Sequence, residues 1–357
     1  MIVLGSTGSI GVNTLEIAKK FNLPIDVLVA GTNLFLLNEQ IKFHQPSIVV
    51  VSDKADKDLV EHHDVRQGDA AILDAIKEAK GDLVVNALVG FMGLKPTLKA
   101  IECGKRVALA NKESLVAGGA FIDMSKIQPI DSEHFGLWYL NSTSRPISRM
   151  LITASGGAFR DWPLEKIQSA TLADTQKHPN WSMGQKITID SASMMNKMFE
   201  LLEARWLFGE GEYDALIETK SLIHALIDYK DGSTTAHFAK ANMQLPIAYA
   251  VMGKAEAEIL KPINLIEVGS LEFREITTER YPIWKIRETL ITHPKRGVVV
   301  NAANEAAIEL FVEGKIGFLE ISELVIKAFD TFTEEPQSIE DVFVIDSKVR
   351  NYVKESF

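Results

Sequence analysis

Cysteine is almost absent: Cys103 is the single thiol among 357 residues, which excludes an internal disulfide framework and fits a reducing compartment. Its setting, Ala-Ile-Glu-Cys-Gly-Lys, reads as a helix end, where a structural thiol is expected rather than a nucleophile. No apolar run approaches the roughly 18 residues of a membrane span. The N-terminal Ile2-Val3-Leu4 meets glycine at once, without the basic and apolar regions of a signal peptide. Lysine and arginine form no block and the net charge is -10, which argues against nucleic acid or an anionic membrane as the main partner. Any phosphate site is therefore local, and the expected location is the cytoplasm. What is present is ordinary for a soluble globular protein: 46% hydrophobic and 24% charged residues, enough for two or three domains with a sizeable core.

The first third alternates short apolar runs with stretches of helical period. Candidate strands are Met1-Gly5, Ile25-Ala30, Ser47-Val51, Asp82-Ala87 and Arg106-Ala110, with helical segments such as Ser9-Lys20 and Gly93-Cys103 between them. This rhythm predicts a doubly wound parallel α/β sheet of Rossmann-like type. After about residue 130 the elements are mixed. Met150-Ala154 is a strand candidate, and Leu222-Tyr229, Asp231-Gly232 and Ser233-Phe238 read as a hairpin with a primed turn. The helical period weakens over 255–280, as in a linker, and returns in Ala302-Glu313, Leu319-Phe332 and Ser338-Phe357, which suggest a small helical bundle. The expected domains are 1–130, 131–254, a linker 255–280, and 281–357.

Gly5-Ser6-Thr7-Gly8-Ser9-Ile10-Gly11 follows the first strand and opens a helix. Glycines there allow the close approach of a pyrophosphate, whose charge sits over free amides at the helix N-terminus. The second strand ends in Ala30-Gly31-Thr32-Asn33, without the acid that usually meets an NAD ribose, which leans toward NADP. Asn111-Lys112-Glu113 lies at the carboxyl edge of the last strand of the series, either in a ligand site or capping a helix Ser114-Lys126. In Asp131-Ser132-Glu133-His134 two carboxylates can converge from a turn on a hard cation, or cap a helix, with His134 structural. Ser155-Gly156-Gly157 offers hydroxyl and amide donors to a phosphate. The segment from His178 to Gly184 reads as a lid loop with Trp181 at its tip, or as a loop with that ring packed inside.

Beyond this loop, helical spacing places Ser193, Asn196, Lys197 and Glu200 on one face, flanked by Met194, Met195, Met198, Phe199, Leu201 and Leu202. Apolar flanks press these polar groups toward the interior, where they need partners. Either Lys197 and Glu200 satisfy each other as i, i+3 neighbours, or the stripe faces a charged ligand.

GSTGSIG, NKE, DSEH, SGGAFRD, HPNWSMG, DSASMMNK with its following glutamate, and NAANE stand in one order over nearly the whole chain. Together they resemble the 1-deoxy-D-xylulose 5-phosphate reductoisomerase family of the methylerythritol phosphate route to isoprenoids. The resemblance implies an NADPH-binding domain, a catalytic connective domain, a linker, a C-terminal helical bundle and a homodimer. It places Thr7, Gly8, Ser9 and Ile10 at the pyrophosphate, Gly31 and Asn33 near the adenosine phosphate, and Asn111, Lys112, Glu113 and Gly184 at NADPH. Asp131, Glu133 and Glu200 become ligands of a divalent cation, Mg²⁺, Mn²⁺ or Co²⁺. Ser132, Glu133, Ser155, His178, Ser191, Asn196, Lys197 and Glu200 become substrate residues, with the serines, Asn196 and Lys197 at the phosphate. Two positions depart from the family pattern. Thr32 stands where a basic residue is common, and Glu218 where a histidine is common, so no histidine role carries over to Glu218.

The implied reaction starts with a cation on adjacent substrate oxygens, polarising a ketone and lowering a hydroxyl pKa. Skeletal rearrangement follows, by retro-aldol cleavage and re-addition or by an α-ketol shift, and NADPH reduces the resulting aldehyde. Glu133, Lys112 and a metal-bound hydroxyl are the candidate general bases, and His178 joins the catalytic set. Two other readings stand beside this one: a different metal-assisted NADP-dependent sugar-phosphate reductase, and a non-enzymatic dinucleotide sensor.

Overall fold

The computed structural model describes residues 1–141, 145–181 and 183–356. Its backbone contacts divide the chain into two units: 1–114 with 122–132 and 242–261, and 115–121 with 133–241 and 262–357. Among the described residues no helix is long and apolar enough to cross a membrane.

The first unit is built on seven strands: β1 (Ile2–Leu4), β2 (Val27–Ala30), β3 (Ile48–Val51), β4 (Val65–Gln67), β5 (Leu83–Asn86), β6 (Arg106–Leu109) and β7 (Ile127–Pro129). All pair in parallel, in the order β4-β3-β2-β1-β5-β6-β7. The continuous apolar character of IVL, VLVA and IVVV follows from burial on both faces, as a parallel sheet covered by helices requires. Strand order reverses between β1 and β5, which puts the topological switch point at the carboxyl end of β1. Helix Gln244–Met252 returns from far along the chain and joins this core through Ile247, Ala248 and Ala250.

Five of these strands match the expected ones, and β4 and β7 are additions. The helix expected over Ser114-Lys126 is instead Lys112–Gly118 followed by two short 3₁₀ turns, Gly119–Phe121 and Met124–Lys126, before β7. The expected linker carries local structure, a turn of helix at Leu265–Val268 and a two-residue strand. The segment 242–261 packs with the N-terminal unit rather than with its sequence neighbours.

The second unit has a sheet of β8 (Ile147–Ala154), β9 (Tyr213–Glu218), β10 (Ile223–Tyr229), β11 (Thr234–Phe238) and β12 (Phe273–Arg274), ordered β11-β10-β8-β9-β12. The β10–β11 hairpin forms as expected, but its turn is not primed. A primed turn needs positive φ at the first central residue, and here only Gly232 has it, at 86°. Gly232 N–H donates to Tyr229 O and Tyr229 N–H to Ser233 O, the pattern of a type I turn closed by one left-handed residue.

Helices Gln185–Ser193 and Met195–Phe208 belong to the same unit, as do Gly297–Val312, Phe318–Thr331 and Ile339–Glu355, the expected bundle. The Gly297–Val312 helix is buried along most of its length, so its sequence is apolar nearly all round. Arg350 crosses from the last helix to Glu305 on it, and also donates, at 2.8 Å, to Asp346 one turn back on its own helix.

Candidate functional site

At the end of β1 the chain makes its glycine turn and enters helix Ser9–Lys20. Gly8 occupies the N-cap position and supplies no side-chain cap, so first-turn amides remain for an anion. A Cβ on Gly11 would lie 2.2 Å from Gly5 O, so only glycine lets the turn fold this tightly on the helix. Gly8 and Ser9 are exposed, and Thr7 and Ile10 half-buried. At the end of β2, Gly31 is exposed, and the Asn33 side chain caps helix Leu34–His44 through Leu36 N–H.

Asn111 is buried and serves mainly as a knot. Its Oδ1 accepts from Ser114 N–H at 3.1 Å, while its Nδ2 donates to Leu88 O and Gly90 O at 2.9 Å each and to Glu113 at 3.1 Å. Lys112 Nζ lies 2.8 Å from Asp131 Oδ2, both largely buried in the same unit. Asp131 precedes helix Ser132–Leu140, whose first turn carries Ser132 and Glu133.

In the second unit the expected four-residue stripe is broken. Met194 sits in the left-handed region, φ 68°, and ends the first helix, so Ser193 belongs to Gln185–Ser193 while Asn196, Lys197 and Glu200 share the next. Ser193 Oγ turns back to Asp190 O. Lys197 bridges two carboxylates: Glu133 Oε1 at 2.8 Å and Glu200 Oε2, with Asn196 also donating to Glu200. The two glutamates bring carboxylate oxygens within 4.8 Å of each other, with Glu200 1% exposed. Lys197 and Glu200 therefore do touch, as i, i+3 spacing allows, and they also face outward to Glu133. Behind them His134, fully buried, holds Glu200 O through Nε2 at 2.8 Å and lies 3.4 Å from Glu203.

Around the stripe, β8 delivers Ser155 and the helix Gln185–Ser193 delivers Ser191. His178 Nε2 reaches both hydroxyls, at 2.9 and 3.1 Å. Its Nδ1 accepts two backbone N–H groups, from Asn180 at 3.2 Å and Trp181 at 2.9 Å. Two donors on Nδ1 place the proton on Nε2, which then donates to a serine. Burial, helped by the charges of Arg160 and Lys197, pushes this imidazole down to about 4, so it is neutral at physiological pH. Gly157 closes the cluster: its N–H donates to Ser155 Oγ, and a Cβ there would stand 2.5 Å from Ser191 O. Trp181 is half-exposed, its ring 6.3 Å from that of His224, and Gly184 is exposed at the N-cap of the following helix. Ser182 of the same loop lies outside the described residues.

Sequence reasoning missed several supporting groups. Arg160 Nη1 donates to Ser155 O and Thr219 O, both at 2.9 Å. Asp190 receives Lys186 at 2.9 Å and Asn304 at 2.7 Å, tying the helix of Ser191 to the bundle. The NAANE and SGGAFRD segments contain Asn304 and Arg160, so their presence in the ordered motif set was the available signal. Glu218 is fully buried and accepts backbone N–H groups from Lys220, Leu222 and Ile223.

A parallel sheet with a glycine-rich first turn at its switch point defines the class, an α/β dinucleotide-binding oxidoreductase. Three family models match in series: 1-deoxy-D-xylulose 5-phosphate reductoisomerase over residues 1–119, its C-terminal domain over 127–208, and the DXP reductoisomerase C-terminal domain over 238–352. The 1-deoxy-D-xylulose 5-phosphate reductoisomerase of Nautilia profundicola is 57% identical across 100% of both chains, and that of Wolinella succinogenes 53% identical across 99% of both. A solved DOX-P reductoisomerase in complex with NADPH, fosmidomycin and magnesium superposes with a TM-score of 0.91 at 32% identity, covering 99% of this chain and 97% of that one. The chain belongs to the 1-deoxy-D-xylulose 5-phosphate reductoisomerase family.

Proposed function

We propose that this chain isomerises and reduces 1-deoxy-D-xylulose 5-phosphate to 2-C-methyl-D-erythritol 4-phosphate, using NADPH and a divalent cation. The single observation that carries the site assignment is the Glu133–Lys197–Glu200 cluster, in which one half-buried and one buried carboxylate face a lysine whose charge also acts on the serine–histidine group. Membership of the family supports the reaction itself.

The donor set fits both bound groups. Glu133 and Glu200 are hard oxygen donors already drawn together, and Asp131, two residues before Glu133 and just ahead of its helix, completes the proposed metal set. A divalent cation there supplies Lewis acidity toward adjacent substrate oxygens. Lys197 neutralises these carboxylates and presents its ammonium toward an incoming phosphate, together with Asn196, Ser155, Ser191 and Ser132. Neutral His178 donates through Nε2, so it can hold a substrate oxygen without adding a positive charge. Glu133 and Lys112 are the protein groups placed to move a proton, with Lys112 held by Asp131.

For the dinucleotide, the uncapped helix start and the tight Gly5–Gly11 turn fit a pyrophosphate at Thr7, Gly8, Ser9 and Ile10, with Gly31 and Asn33 toward the adenosine phosphate. NADPH supplies the hydride. Lys112, Glu113 and Gly184 belong to the same proposal, and Asn111 contributes by shaping the loop after β6. The functional division into an NADPH-binding domain, a connective catalytic domain, a linker and a C-terminal bundle is part of this reading, as is a cytoplasmic location. So is a homodimer, supported by an edge strand, β11, near exposed Trp138, Tyr139 and Phe238.

Glu200→Gln keeps the shape and removes the charge. It is expected to lower turnover at least about a thousandfold, a loss of about 4 kcal/mol of transition-state stabilisation, with NADPH affinity unchanged. Turnover within a few fold of the parent enzyme rejects the metal role of Glu200.

A further inference from the structure

Between β9 and β10 the chain reverses through Thr219–Leu222, and the reversal is organised by one carboxylate. Glu218 is wholly buried. Its Oε1 accepts Lys220 N–H at 2.9 Å, and its Oε2 accepts Leu222 N–H at 2.7 Å and Ile223 N–H at 3.2 Å. Ser221, at the apex, is held at φ 52°, a left-handed conformation that costs a serine energy and persists only where its surroundings impose it. From outside, Lys220 Nζ pins the same turn to Val268 O and Ser270 O at 2.7 Å each.

The outer face of the turn receives two side chains, Asn180 and Arg160. Asn180 Nδ2 donates to Ser221 Oγ at 2.7 Å and to Thr219 O at 3.1 Å. Asn180 N–H donates in turn to His178 Nδ1, one of the two contacts, with Trp181 N–H, that set the tautomer of that imidazole. Arg160 joins the other side, one nitrogen bridging Thr219 O and Ser155 O. Both groups that meet at the Ser155–His178 contact are thus referred, by one intermediate each, to the turn that Glu218 folds.

We propose that Glu218 is a positioning residue: it builds a rigid seat on which Asn180 fixes the His178–Trp181 loop and Arg160 fixes Ser155, setting the geometry of the substrate-binding hydroxyl and imidazole. Glutamine cannot replace it, because its amide nitrogen is a donor and would face backbone N–H groups. The proposal rests on the reading of Ser155 and His178 as substrate contacts.

A double-mutant cycle on steady-state kinetics tests it, with Glu218→Gln, Asn180→Ala and the double variant, and Ser155→Ala as a control. Each single change is expected to lower kcat/KM for 1-deoxy-D-xylulose 5-phosphate at least about fivefold, mainly through KM, with NADPH affinity unchanged. The double variant is expected to be no worse than the weaker single one, because both changes release the same loop. Additive losses, or losses in NADPH affinity of the same size, overturn the proposal and leave Glu218 a residue of general stability. Should Glu218→Gln fail to fold, Glu218→Asp, one methylene shorter, takes its place in the cycle under the same criteria. A Ser155→Ala variant with unchanged KM would instead sink the substrate reading itself, whatever the cycle shows.

Discussion

Two imidazoles of the second unit are buried deeply enough to leave the usual histidine range. His178 and His237 are both pushed down to about 4, each mainly by burial, with Arg160 and Lys197 adding to it at His178 and His224 at His237. His237 stacks edge-on against Phe135, 5.4 Å between centroids, and lies 8% exposed. Because the folded pKa is lowered, the unfolded chain binds protons between pH 6.5 and 4 that the folded chain refuses. Stability is therefore full above pH 6.5 and is lost as the pH falls through this window, by roughly 3 kcal/mol for a histidine shifted this far. Denaturant unfolding of the His237→Gln variant should show a flatter dependence over pH 4–6.5 than the parent, by up to one proton. An identical slope in the two proteins would contradict this account of His237. Of the site residues, the sequence made the polar identity of Asn196, Lys197 and Glu200 legible by helical spacing, and even the option of a Lys197–Glu200 pair. Glu133 was set beside Glu200 only by the ordered motifs, and its contact with Lys197 was not legible, because it spans 64 positions and no local period reports it.

At the scale of elements, the sequence misled at two turns. Met194 carries a residue type that favours helix, so nothing local signalled the break that removes Ser193 from the stripe; tertiary packing of a 2% exposed side chain overrides propensity there. Asp231-Gly232 did signal a hairpin, yet the turn uses a single left-handed residue. Gly232 has φ 86° and open space where a Cβ would go, so Gly232→Ala reports backbone strain alone. It is expected to destabilise the protein by about 1–2 kcal/mol, read as a shift in the denaturation midpoint, with kcat unchanged. A neutral or stabilising substitution would refute the turn assignment. The missed strands β4 and β7 have equally physical causes: each is three residues long, β4 contains a charged Arg66, and β7 ends in Pro129, so neither shows the apolar run that marked β1, β2, β3 and β5.

Across the whole molecule, alternation of strand and helix made the parallel sheet legible, and a glycine turn after the first strand made its switch point legible. The excursion of 115–121 and the return of 242–261 were not, because periodicity names an element without naming its partner. The family carries the reaction, and the second unit holds a lysine on two carboxylates and a neutral histidine on two serines, each set within its own hydrogen-bonding reach. The most direct measurement is NADPH oxidation by the purified protein with 1-deoxy-D-xylulose 5-phosphate, with and without Mg²⁺, Mn²⁺ or Co²⁺, with the product identified by mass and NMR. Cation-dependent oxidation with formation of 2-C-methyl-D-erythritol 4-phosphate is the predicted result. No oxidation with any of the three cations, or reduction without rearrangement of the carbon skeleton, would contradict the account.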